Sequence, residues 1–140
     1  MKKYFVLFLM MIITLSFYGC NTAENMIGTK NGVAYFNKTG NVSEIICTYY
    51  SETQDEEIEV KLENAPFCDK IGEIIDGKPA GDDFCKCAGD YQVTIDNKYL
   101  FYLHEDKIVV FTDMKDYTGF TVECSAEETK ELYEIIEPKN

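Results

Sequence analysis

The chain has 140 residues, with 25 acidic side chains against 13 lysines, no arginine and a formal charge of −12. That balance excludes a nucleic-acid binder, which needs a basic patch or stripe, and it opposes adhesion to anionic lipid by charge alone. The length suits one domain rather than two. A net negative field favours a basic partner or weak cation binding, although most of these acids are expected simply to solvate a surface.

Met1, Lys2 and Lys3 give a short positive start, and Tyr4 to Phe17 is an almost wholly apolar run. It is shorter than the ~20 residues that cross a bilayer comfortably. A charged start, a short apolar core and a small residue at the end make a signal-peptide pattern. The run closes as Ser16-Phe17-Tyr18-Gly19-Cys20-Asn21. Over residues 1–20 this resembles the lipobox of bacterial lipoproteins, with Gly19 and Cys20 carrying the match. Phe17 and Tyr18 depart from the usual leucine and small residue, so the form is a relaxed one. The resemblance implies diacylglycerol on the Cys20 thiol, cleavage just before it, and an acylated (for example palmitoylated) new amino group. Ordinary cleavage at Gly19 fits less well, because Phe17 stands where a small residue is required. Stable anchoring takes more than one acyl chain, which a fully acylated Cys20 supplies. The expected organisation is a signal peptide over residues 1–19, a lipidated cysteine and tether over 20–31, and one domain over 32–140. The expected location is the cell envelope, membrane-anchored and facing a non-cytoplasmic compartment. Without Lys2 and Lys3 the exported part carries eleven lysines and a balance of −14.

Within the domain, Gly32–Phe36 reads as a short strand and Asn37–Asn41 as a turn cluster. Val42–Tyr50 fits both helical spacing and strand composition, and its branched and aromatic residues favour a strand. It pairs across Ser51–Glu56 with Glu57–Leu62, where Ile58, Val60 and Leu62 alternate with charges, one face buried and the other wet. Pro66 suits a helix start. Phe67, Ile71, Ile74 and Ile75 make its apolar stripe, Gly72 weakens it and Gly77 stops it. A loop over Lys78–Asp83 leads to Cys85 and Cys87. Four strands follow: Tyr91–Ile95, Tyr99–Leu103, Lys107–Thr112 and Gly119–Cys124, joined by short turns as an antiparallel meander. Leu100 and Tyr102, facing away from Tyr99, Phe101 and Leu103, mark either a central strand or a partner surface. Ser125 and Glu128 form a capping-box signal for a helix to about Glu137, with Pro138 as its stop and Leu132, Ile135 and Ile136 facing inward. The expected fold is α+β, a mainly antiparallel β-sheet with a C-terminal meander, packed by two helices.

Five cysteines remain beyond Cys20: Cys47, Cys68, Cys85, Cys87 and Cys124. An exported compartment permits disulfides, at most two here, with one thiol to spare for joining two chains. The preferred pairing links Cys68 to Cys85 or Cys87, and Cys47 to Cys124. Cys85-Lys86-Cys87 lacks the two-residue spacing of a redox or zinc motif. His104, the one histidine, reads as a surface residue rather than a general base. Asp76–Cys87 fails the calcium-loop pattern, and Asp82, Asp83 and Asp90 read as hydrated loop acids rather than a metal site. No catalytic residue, metal or cofactor is assigned. The functional expectation is a non-enzymatic envelope lipoprotein that binds a protein or glycan or plays a structural role. Tyrosines such as Tyr49, Tyr50, Tyr91, Tyr99, Tyr102 and Tyr117 would offer contact area and a hydroxyl. The alternative is an envelope-anchored enzyme or enzyme inhibitor.

Overall fold

The computed structural model describes residues 25–38, 41–82 and 87–137. In chain order the elements are β1 (Ile27–Lys30), β2 (Val33–Phe36), β3 (Ile45–Ser51), β4 (Glu56–Lys61), α1 (Asn64–Ile75), β5 (Tyr91–Ile95), β6 (Tyr99–Leu103), β7 (Lys107–Asp113), β8 (Thr118–Glu123) and α2 (Ala126–Ile136). Strands β3 to β8 form a six-stranded sheet in the order β4-β3-β5-β6-β7-β8, every pair antiparallel. The fold is α+β, with β5–β8 as a C-terminal meander.

Side chains alternate faces along a strand, so the register sorts them. Val60, Cys47, Val93, Phe101, Val110 and Phe120 stand opposite one another in turn, forming one row across all six strands. Both helices pack on the face this row occupies. Phe67, Ile71, Ile74 and Ile75 of α1 and Leu132 and Ile136 of α2 join it in one core. Phe67 meets Phe101 edge to face at 6.2 Å, a favourable aromatic geometry. On the other face Leu100, Val109 and Phe111 make a second cluster with Tyr102 and Met114. Strand β6 lies between β5 and β7, which makes it central and explains why it is apolar on both sides.

Local chemistry sets the corners. Asp96 and Asn97 both take φ 51° in the two-residue turn between β5 and β6, closed by the Lys98 N–H donating to the Ile95 carbonyl at 2.9 Å. Asp96 Oδ1 also accepts from the Ser43 and Glu44 N–H groups at 2.9 and 2.7 Å, pinning the chain as it enters β3. Helix α1 begins at Asn64, two residues before Pro66, so the proline sits in the first turn, where its missing N–H is no loss. Asp76 caps the other end, and Gly77 then turns with φ 82°. Gly72 serves packing: a Cβ there would lie 2.9 Å from the Phe36 ring. The Ser125–Glu128 capping box forms in full at the start of α2, which ends at Ile136; the expected stop at Pro138 lies outside the described residues.

One boundary differs from expectation. Composition assigns residues 20–31 to a tether, yet Ile27–Lys30 is strand β1, paired with β2, and Ile27 is fully buried in the core. Asn31 and Gly32 both have positive φ, 54° and 75°, as a tight hairpin turn requires. The segment after Gly77 ties this hairpin to the sheet. Ala34 exchanges backbone bonds with Gly77 and Lys78, while Gly81 and Thr121 exchange both of theirs at 2.8 and 2.9 Å. The outer edge of β8 is thereby covered. No described helix is long and apolar enough to cross a membrane. The expected signal peptide and lipidated Cys20 lie outside the described residues.

Candidate functional site

A six-stranded sheet is roughly 24 Å wide at ~4.8 Å per strand, whereas two helices spaced 8–10 Å apart cover about 20 Å of it. The uncovered margin falls at β4. There the end of β4, the first half of α1 and the last half of α2 enclose a groove of about 670 Å³. Val60, Leu62, Pro66, Ile135 and Ile136 supply its apolar lining, and Glu63, Glu134 and Glu137 add carboxylates. Lys70 also lines the groove, but its ammonium is engaged by Glu131 at 2.6 Å and Glu73 at 3.3 Å. The hydrogen bond to Glu131 is the main reason its pKa is raised. Lys61 pairs with Glu44 at 3.6 Å, with both side chains largely in water.

Three tyrosines stand next to this groove. Tyr49 and Tyr91 rings lie 5.5 Å apart, and Tyr91 and Tyr133 rings 4.7 Å apart. The Tyr91 hydroxyl donates to Glu137 Oε1 at 3.3 Å, and the Tyr133 hydroxyl to Asp90 Oδ2 at 2.8 Å. Burial, reinforced by the Glu137 charge, pushes Tyr91 up to about 12. Burial and the Asp90 hydrogen bond raise Tyr133 as well. Both phenols therefore stay protonated at neutral pH and act as donors that fix α2 to the sheet.

The edge of β4 is open on its outer side: among the described residues no strand pairs there. The Leu62 N–H donates inward to the Ile45 carbonyl at 2.9 Å. Antiparallel ladders alternate inward and outward groups, so Glu57, Glu59 and Lys61 present their backbone groups outward. Ile58 and Val60 stand opposite Tyr49 and Cys47 on the helix face, and Glu57 and Glu59 opposite Tyr50 and Thr48 on the other.

The expected cysteine pairings are not formed. Cys47, Cys68 and Cys124 are free thiols. Cys47 sits in mid-β3 and Cys124 follows β8, four strand spacings away, on the order of 19 Å against the 7 Å limit for bridged Cα atoms. Cys68 lines a cavity with Asn41 and Val42, and Ser43 and Glu44 just beyond them bond Asp96, so it is near the β5–β6 turn, whereas Cys87 precedes the opposite end of β5. The partner that Cys87 bonds is not among the described residues, and Cys85 lies outside them. Burial raises all three free thiols, Cys47 to about 12 and Cys124 to about 11. They remain protonated at neutral pH, and the thiolate is the nucleophilic form.

The other residues singled out by sequence are dispersed. His104 is half-buried rather than a surface side chain, its Nε2 without a partner among the described residues. Asp90 serves Tyr133, Asp82 is exposed, and Asp83 lies outside the described residues; no metal-holding cluster occurs among those described. Tyr99 is buried, its hydroxyl accepting from the Met26 N–H at 3.1 Å. Tyr102 and Tyr117 pack edge-on against Phe111, and Tyr50 is exposed and bonded to Asp55. Val109 and Phe111 are fully buried, so the second sheet face is not an open apolar patch. The groove residues Glu134, Glu137 and Ile135 escaped notice as a site because only the strand order brings α2 beside β4. Comparison with known protein families, curated proteins and solved structures finds no match.

Proposed function

We propose that this chain is a lipid-anchored envelope protein that works by binding, holding an acidic α+β domain against a protein or glycan partner rather than catalysing a reaction. The observation that carries the binding half is the groove of about 670 Å³ beside the open β4 edge, apolar within and carboxylate-rimmed. An apolar concavity with a few oriented polar groups is the usual form of a recognition site. Tyr91 and Tyr133 support its wall by bonding Glu137 and Asp90. The anchoring half comes from the sequence, where Gly19-Cys20 follows a leader too short for a comfortable span.

Intact mass spectrometry of the full chain made in a lipoprotein-processing bacterium tests the reading. The expected product lacks residues 1–19 and carries acyl chains on Cys20, and Cys20→Ser abolishes both changes. Recovery of the uncleaved, unacylated chain from the cytosol would overturn the anchoring half.

A further inference from the structure

We infer that the outer edge of β4, with the groove beside it, docks an extended polypeptide that joins the sheet as a further strand, with lysine or arginine alternating with apolar side chains. This rests on the binding reading above and names the partner class for the same site.

The two ends of the sheet are treated differently. The β8 edge is closed by Gly81, which exchanges both backbone bonds with Thr121, and by Lys78 Nζ donating to the Glu123 carbonyl at 3.3 Å. The β4 edge is left with the outward backbone groups of Glu57, Glu59 and Lys61, unpaired among the described residues. An unpaired strand edge is a template for strand addition.

The alternation of β4 dictates the alternation of its guest. Side chains of an added strand that project to the helix face come beside Ile58 and Val60, over the apolar lining made with Ile135 and Ile136. Those on the opposite face come beside Glu57 and Glu59, and beside Lys61, whose charge Glu44 already pairs at 3.6 Å. Opposite charges across a strand pair attract and like charges repel, which selects basic residues on that side. Lys70 is already neutralised by Glu131 and Glu73, so the negative charge of Glu63, Glu134 and the Tyr91-bonded Glu137, without an ion pair among the described residues, has the same preference. A second copy is the poorer guest. Glutamates on an edge oppose self-pairing, and each copy, without Lys2 and Lys3, brings a formal −14 from eleven lysines against 25 acids.

The test uses the full chain purified with its anchor in detergent, and a fluorescein-labelled ten-residue peptide of alternating lysine and valine. Fluorescence anisotropy should show saturable binding, weakened at least tenfold by Glu57→Gln with Glu59→Gln. Hydrogen exchange of segment 56–61 should slow at least tenfold when peptide is bound. Methylating one alternate set of peptide amides should abolish binding and methylating the other should not, a readout that needs no variant of the protein. Binding that survives both methylations, unchanged exchange at 56–61, or no binding below millimolar peptide would overturn the proposal. So would slow exchange of 56–61 that depends on protein concentration alone, which would give the edge to a second copy. The mass of Cys20 in the same preparation reads the anchoring separately, so a normally acylated chain that ignores the peptide refutes only the strand-addition site.

Discussion

Single residues carry constraints that composition hides. Gly119 lies in β8 opposite Phe111, beside a register shift in β7. A Cβ there would come 1.9 Å from the Val110 carbonyl oxygen, which is backbone and cannot swing aside. Gly119→Ala is therefore expected to lose about 3 kcal/mol, the upper part of the usual overpacking range. Gly81 is the control: its Cβ would approach the Thr121 oxygen only to 3.7 Å, and Gly81→Ala should stay within about 0.5 kcal/mol. Urea midpoints of the two variants decide the comparison. An Asn-Gly pair such as Asn31-Gly32 is a hairpin-turn signal, and it is the polar composition before it that favours a tether. The thiols were illegible for a different reason. Whether two cysteines meet depends on strand order, and spacing along the chain says nothing about the four strand widths between Cys47 and Cys124.

Among the elements, α2 is the one whose sequence and structure agree most fully. Ser125 Oγ accepts from the Glu128 N–H at 3.2 Å, and Glu128 Oε2 accepts from the Ser125 N–H at 2.9 Å. Ser125→Ala should cost about 1 kcal/mol, read as a shift in thermal midpoint. Glu128 also takes a 2.6 Å bond from Lys78 Nζ. Burial raises the Glu128 pKa, but Lys78 and the Ser125 contacts outweigh it and leave the carboxyl below its ordinary 4.5. A lowered folded value means the stabilisation is complete above pH 4.5 and is lost as the pH falls through the folded value. Lys78→Met should flatten that acid limb in denaturation curves measured from pH 6 down to 2. The tyrosines act with opposite sign. Tyr91 is held protonated up to about 12, against 10 in an unfolded chain, so its contribution is intact below pH 10 and lost between 10 and 12. Tyr91→Phe should give a shallower alkaline fall than the parent over that window. Lysines titrate there in both proteins, so the difference isolates the phenol.

For the whole molecule, the telling residue is Ile27. It is fully buried although it lies N-terminal to the expected domain boundary. Ile27→Ala should cost about 2–5 kcal/mol, the range for emptying an aliphatic core site, with the chemical-denaturation midpoint as the measure; a change within 0.5 kcal/mol would return the segment to tether status. The sequence by itself determined β4, the meander and both helices with their inner faces, because the period of two in β4 and β5, the apolar stripes of α1 and α2, and the capping box are all local chemistry. It also carries the apolar run and the Gly19-Cys20 pattern on which the proposal of an anchored, exported protein rests. Only the tertiary structure decided the strand order, and with it which edge Gly81 closes and which, among the described residues, stays open at β4. It alone showed that α2 reaches β4 to enclose a groove, that Cys47 and Cys124 are kept apart, and that β1 joins the core. These are contacts between residues distant in sequence, fixed by how rows of side chains interlock across the sheet, and no local pattern encodes them.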